Sequence, residues 1–290
     1  MTTSGPITRY VRYTDASGTF YGTVDGDTIR QLDGDLFANP RPTGKTVRVA
    51  DVKLEVPVDP MKVQKVIGLT SQFSRDGTPH SNKHLRLFAK LPTSLIAHGE
   101  DIEVPPECHH IHHEDELVVV IGKSGRYISE EDAPGHVFGV TVGNEVADGT
   151  WYSETDGANA PARLLAKSPD TWGPVYHTIV QGIDYNDLAI EARLDGHVAV
   201  QARTSQFNNT VAQTIAYLSH YMTLEPGDLI FMGNPNQVPE YREMEVGQTI
   251  EVEIEGIGVL RNRVVAMKGG IAGPWWLKEV APPPAAPRMG

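Results

Sequence analysis

One cysteine, Cys108, stands among 290 residues, so no disulfide can form within the chain. Such a chain must hold itself together by its packed core, and a reducing cytoplasm is the expected setting. Cys108 follows Glu107 and has no cationic neighbour apart from the adjacent histidines, which predicts an inert thiol. Basic charge is also scarce: 25 Lys and Arg against 37 Asp and Glu leave a formal net charge of −12. That balance, without any long basic patch, argues against a nucleic-acid partner. An anionic ligand would have to be drawn in locally, by a metal or a few cations. No stretch approaches the ~20 apolar residues of a membrane-spanning helix, so no membrane partner is expected. Met1 to Thr8 is polar and lacks the apolar core of a signal peptide. Missing too are the Gly-x-Ser-x-Gly elbow, the phosphate loop, the dinucleotide fingerprint, Cys-x-x-Cys and His-Glu-x-x-His.

What remains is an ordinary globular composition, 40% hydrophobic and 21% charged, patterned mainly as strands. Alternation at Tyr10, Val11, Tyr13 and again from Thr19 to Val24, with Asp15-Ala16-Ser17-Gly18 between, predicts a hairpin. Thr28 to Leu32 continues this β-rich module, which the prolines at 57 and 60 close. A larger unit follows. Val63 to Leu69, Ile102 to Val104, Val137 to Val142, Leu229 to Met232, Thr249 to Ile254 and Val259 to Val265 predict strands. Asp195-Gly196 predicts a hairpin turn between Ile190–Leu194 and His197–Ala202. Apolar Val211, Ile215, Leu218 and Met222 are spaced for a helix, and Thr70 to His84 predicts a polar loop or mobile lid. The expected organisation is a small N-terminal domain over 1–60, a main domain over 61–278 and a loose Pro/Ala-rich tail over 279–290.

Chemistry concentrates between His112 and Gly122, where His-His-Glu-Asp-Glu runs into a β-branched strand. Side chains two apart on a strand share a face, so Glu114 and Glu116 should point the same way at the end of a mostly buried strand. Bare paired charges are costly there. A divalent cation offsets them, and hard oxygen donors favour Mg²⁺, Mn²⁺ or Ca²⁺ over zinc. The strand from Val137 ends in Asn144-Glu145-Val146-Ala147-Asp148, so either Glu145 or Asp148 suits a third ligand. Lys167, among small and apolar residues, suits a substrate carboxylate or an enolate. Gly233-Asn234-Pro235, after a strand, offers backbone amides and one polar side chain for a carboxylate. The four histidines at 109, 110, 112 and 113 suggest zinc, but the stretch is not helical; if extended, alternation puts His109 and His113 on the face away from the glutamates.

Taken in order, Phe88-Ala89-Lys90-Leu91-Pro92-Thr93-Ser94, Glu114-x-Glu116-Leu, Asn144-Glu145-Val146, Ala166-Lys167-Ser168, and Pro226-Gly227-Asp228 through Gly233-Asn234-Pro235 resemble the fumarylacetoacetate hydrolase superfamily. The likeness covers nearly the whole chain. It implies a mixed α/β, mainly β fold, with a mixed β-roll behind the small N-terminal domain, and a homodimer. It implies Mg²⁺, Mn²⁺ or Ca²⁺ on Glu114, Glu116 and Glu145, where Glu145 stands in place of the family's aspartate, and it puts the family's lysine at Lys167. Asn234 replaces a threonine. The Ser-Ala-Arg-Asp stretch followed by Gln gives way to Ala147-Asp148-Gly149-Thr150 and then Tyr152, and Ser74 stands where a lid histidine is usual. Asn234, Ser74 and Tyr152 are thereby the substrate-binding candidates, and His80 or His84, farther along the lid, is the substitute base.

The activity so implied is metal-dependent chemistry on a small anionic 2-oxo acid or 1,3-dicarbonyl compound through an enolate. Hydrolysis of a carbon–carbon bond is the first expectation, with Lys167 holding the enolate and His80 activating water. Decarboxylation, tautomerisation or isomerisation, and hydration use the same enolate, and a non-catalytic metal-binding homologue is the other class to weigh.

Overall fold

The structure, a computed structural model, describes residues 5–74, 78–149 and 161–269. Tyr152 and the C-terminal tail lie outside the described residues. The fold is mixed α/β and mainly β. Its spine is a large twisted sheet whose strands run, neighbour to neighbour, Arg41–Arg48, Thr28–Asp33, Gly18–Asp25, Thr8–Asp15, Thr178–Gln181, Val137–Asn144, Asp115–Ile121, Leu229–Phe231, Val66–Thr70 and Arg86–Lys90. Thr8–Asp15 pairs antiparallel with Thr178–Gln181, so the N-terminal strands extend the main sheet. Leu229–Phe231 and Val66–Thr70 pair in parallel, which makes the sheet mixed. A second sheet orders His197–Arg203, Ala189–Leu194, Thr249–Ile254, Gly258–Ala266 and Ile102–Val104. A small third one joins Ala147–Asp148, Ile111–His112 and Glu243–Met244.

Asp115–Ile121 is buried along its whole length. Successive side chains on a strand point to opposite faces. Leu117, Val119 and Ile121 accordingly join the largest apolar cluster, while Val118 and Val120 join another with Leu229 and Phe231. A strand that separates two cores cannot slip by one residue without inverting both faces. That fixes which way the acidic residues at its start point.

The helix predicted from apolar spacing is Val211–Tyr221, with Val211, Thr214, Ile215, Leu218 and Ser219 on its buried face. Thr210 caps it: its hydroxyl accepts from Gln213 N at 3.1 Å, and the Gln213 side chain accepts from Thr210 N at 3.1 Å. The hairpin strands at 189–194 and 197–203 also match the reading of Asp195-Gly196. Sequence patterning missed the short helix Pro161–Lys167 and the strands Arg41–Arg48, Gly173–Val175 and Thr178–Gln181. Seven or eight residues with no clean period, or a run of only three or four, carry too little signal. Among the described residues, no helix is long and apolar enough to cross a membrane.

Candidate active site

The antiparallel register sets Asp115 opposite Asn144 and Glu116 opposite Gly143. The start of one strand therefore lies beside the end of the next. Glu145 N donates to Glu114 O at 2.7 Å, and Glu114 N donates to the Asn144 side-chain oxygen at 3.0 Å. Glu114, Glu116 and Glu145 converge, with one carboxylate oxygen from each inside a 4.8 Å span. Glu116 and Glu145 are fully buried, whereas the Glu114 side chain keeps 16% of its surface, so Glu114 marks the side open to solvent. Asp115 points to the opposite face and pairs with His113 at 2.8 Å, while His113 Nε2 meets Tyr241 O at 2.7 Å.

Two lysines serve the cluster. Lys167, the last residue of the Pro161–Lys167 helix, donates to Glu114 Oε1 at 2.8 Å and to Glu145 Oε2, and its ammonium lies 4.7 Å from the Phe88 ring centroid. Phe88 can lie there because Gly68 faces it across the strand pair; a Cβ at Gly68 would stand 2.1 Å from the ring. Lys90 is almost wholly buried, 2.7 Å from Glu145 Oε1, and its Nζ donates to the main-chain oxygens of Trp172 at 3.0 Å, Val146 at 3.3 Å and Lys167. A chemical role for Lys90 escaped the sequence reading. Its apolar neighbours concealed a buried charge, although it belongs to the Phe-Ala-Lys-Leu-Pro motif.

Three ionised carboxylates against two ammoniums leave a formal −3 + 2 = −1 in a space mostly cut off from water. A proton or a cation must balance it. Burial first, then the charges of Glu145 and Glu114, raise the Glu116 carboxyl well above the ordinary carboxylate range. Burial pushes Glu145 up to about 7 against the pull of Lys167 and Lys90. Burial opposes ionisation of Glu114 as well, but Lys167, the hydrogen bond with Glu145 and Lys90 together hold that carboxyl below its ordinary value. One Glu116 oxygen accepts from Gly233 N at 2.6 Å; the other is buried without a hydrogen-bond partner. An orphaned buried carboxylate oxygen inside an all-oxygen donor set fits a hard divalent cation. Glu114, Glu116 and Glu145 are the residues that would hold it. Asp148, fully buried and paired with Ile111, stands outside this cluster, and so does every described histidine.

Gly233, which anchors Glu116, precedes Asn234 in the wall of a cavity of about 750 Å³. Ser74, His80, Asn208 and Arg242 line the same cavity. The lid is pinned by a pair of residues the sequence reading passed over. The Asn208 side-chain oxygen accepts from Ser74 Oγ at 2.7 Å and from His80 N at 3.0 Å, and its amide donates to Ser71 O at 3.0 Å. The Asn209 side-chain oxygen accepts from Asn82 N at 3.1 Å. His80 Nδ1 lies 3.0 Å from Ser74 Oγ and 3.3 Å from Thr78 O. The only available signal was the Asn-Asn pair preceding a helix cap, which marks a turn and nothing more. The other lid histidine, His84, does not line this cavity.

Residues 64–265 match the family described as fumarylacetoacetate (FAA) hydrolase C-terminal, and residues 8–57 match Rv2993c-like, N-terminal. A fumarylacetoacetate hydrolase domain-containing protein 2 homolog of Dictyostelium discoideum is 32% identical over 237 residues, 76% of each chain. An oxaloacetate tautomerase of Bos taurus (FAHD2A, mitochondrial) is 36% identical over 186 residues, 62% of this chain and 58% of that one. A crystal structure of 2-hydroxyhepta-2,4-diene-1,7-dioate isomerase from Mycobacterium marinum superposes with a TM-score of 0.81 at 30% identity, over 90% of this chain and all of the other.

Proposed function

Because this chain belongs to the fumarylacetoacetate hydrolase family and is an enzyme of that kind, we propose that it is a divalent-cation-dependent catalyst that forms the enolate of a small 2-oxo acid. The observation carrying this reading is the convergence of Glu114, Glu116 and Glu145 within 4.8 Å, with the Lys167 ammonium on two of them. When bound, Mg²⁺ or Mn²⁺ would supply Lewis-acid polarisation of the 2-oxo acid's oxygens. Lys167, steered by Glu114 and Glu145, stabilises the negative charge that develops on the enolate oxygen. Asn234 and Ser74 orient the substrate by hydrogen bonds, and Tyr152 is a further substrate-binding candidate.

Hydrolysis of a carbon–carbon bond is the reaction we favour, because a candidate base lines the cavity. Ser74 Oγ gives its own proton to Asn208, so it can accept one from His80 Nδ1, as can Thr78 O. That tautomer leaves Nε2 basic, ready to take a proton from water. The leaving carbanion is then the enolate that Lys167 holds. A second reading, keto–enol tautomerisation, draws support from a different observation. Among the described residues His80 makes no hydrogen bond to any of the three glutamates, whereas Lys167 donates to Glu114 and Glu145 and Lys90 pairs with Glu145. The 36% identical bovine relative is named as an oxaloacetate tautomerase. A homodimer, a small anionic substrate and a cytoplasmic setting belong to the same proposal.

The test is metal-stripped protein resupplied with Mg²⁺ or Mn²⁺ and offered acylpyruvates and oxaloacetate. Release of pyruvate and a second acid, only with metal, supports hydrolysis. Loss of enol absorbance without cleavage supports tautomerisation. No turnover on any member of the panel, with or without metal, sinks both.

A further inference from the structure

We propose that Arg242 is a specificity-determining residue: it binds a second carboxylate at the far end of the substrate, making the ligand class 2-oxo dicarboxylates. This rests on the metal–enolate reading above and goes beyond it by naming the group that selects the substrate.

The lining of the cavity carries the argument. On a chain of net charge −12, none of the described residues lining it is acidic. Its polar surface consists mostly of serine hydroxyls and side-chain amides, among them Asn208, Asn234, Asn236 and Gln237, and Arg242 is the one permanent cation among its described lining residues. A wall of neutral dipoles with one guanidinium is complementary to an anion and repels no part of one. Guanidinium geometry suits a carboxylate held by two parallel hydrogen bonds.

Arg242 is also available. It follows the short turn Pro239–Tyr241, its backbone N donates to Pro239 O, and its side chain is exposed. Among the described residues, no carboxylate lies within ion-pairing distance of the guanidinium. The neighbouring acid, Glu243, is turned to His110 at 3.2 Å. The strand Glu243–Met244, which directly follows Arg242, pairs Glu243 with His112, His112 Nε2 lies 3.7 Å from Glu243 Oε1, and His112 leads two residues on to Glu114 at the open side of the carboxylate cluster. A ligand whose 2-oxo acid end sits at the glutamates thus has an unpaired cation available for its other end.

The experiment is calorimetric titration of Mg²⁺-loaded wild type, Arg242→Gln and Arg242→Lys with pyruvate, which has one carboxylate, and 2-oxoglutarate, which has two. Wild type is expected to prefer 2-oxoglutarate by about tenfold or more, the scale of one charge-assisted contact. R242Q should erase the preference while pyruvate binding stays unchanged, and R242K should restore part of it. Pyruvate binding that persists in R242Q together with an intact preference for 2-oxoglutarate would overturn this inference and leave the enolate reading standing. Equal weakening of both ligands would also overturn it, since Arg242 would then not discriminate the far group. Wild type that binds neither ligand would overturn the enolate reading, and this inference with it.

Discussion

Lys90 Nζ lies 2.7 Å from Glu145 Oε1 in an ion pair whose side chains are 1% and 0% exposed. Burial disfavours the charged lysine and pulls its pKa down, and Glu145 opposes that pull. The main-chain oxygens of Trp172 and Val146 satisfy the rest of the ammonium. Lys90 therefore leaves Glu145 one committed oxygen and one shared with Lys167.

Removing one partner of such a pair strands the other charge out of water. Lys90→Met should cost about 3–5 kcal/mol, and the double variant Lys90→Met/Glu145→Gln should recover much of that loss. Urea denaturation of the metal-free proteins measures both. A single variant within experimental error of wild type would show that the pair carries no stability.

Cation affinity should rise with pH. Glu145 titrates at about 7 and Glu116 well above the ordinary carboxylate range, so both bind protons that an incoming cation must expel. For stability the sign is the reverse. A carboxyl raised in the folded state holds its proton more tightly there, so metal-free stability falls as pH climbs from the unfolded value of 4.5 towards about 7. The increase in Tm on adding Mn²⁺ should accordingly be larger at about pH 8 than at about pH 6. Calorimetry in two buffers of different ionisation heat would count the released protons, and a count of zero at the lower pH contradicts the assignment.

His177 should shape the acid limb of stability. Burial, with His98 nearby, holds its imidazole down to about 4. A histidine depressed in the folded state contributes stability that is complete above the unfolded value of 6.5 and is lost as pH falls towards about 4. The loss should be on the order of 2–3 kcal/mol. His177→Phe keeps a ring against Tyr176, whose centroid lies 4.1 Å away, and should flatten that limb. Denaturation curves across the acid range test it; an unchanged slope would assign the acid sensitivity elsewhere.

Gly68→Ala should act on Lys167 at a distance. The new methyl would meet the Phe88 ring at 2.1 Å, and that ring is what the Lys167 ammonium rests on. Overpacking of this kind costs about 1–3 kcal/mol. The turnover that depends on Lys167 should fall further than stability alone accounts for, and Gly68→Ala/Phe88→Leu should regain stability without regaining rate. Initial rates and chemical denaturation on the same samples separate the two effects.

Much of the architecture was legible because local patterns and tertiary demands agreed. The hairpin at Asp195-Gly196, the capped helix after Thr210 and the buried run after Glu116 each carry a period or a turn signal that packing then used. The lid reads differently. Its polarity predicts a loose cover, yet Asn208 and Asn209 spend that polarity anchoring Ser74, His80 and Asn82. Nothing in a run of polar residues says which distant amide it will meet.

The sequence by itself determined that Glu114 and Glu116 share a face, because strand alternation is local, and that their charge needs a counterpart, because burial of the flanking run is written in its β-branched residues. Only the tertiary structure decided that Glu145 joins them while Asp148 does not, that Lys90 and Lys167 both reach Glu145, and that Arg242 faces a cavity with no acid among its described lining residues. Those relations depend on strand register and on contacts between segments dozens to more than a hundred residues apart, which no local pattern encodes.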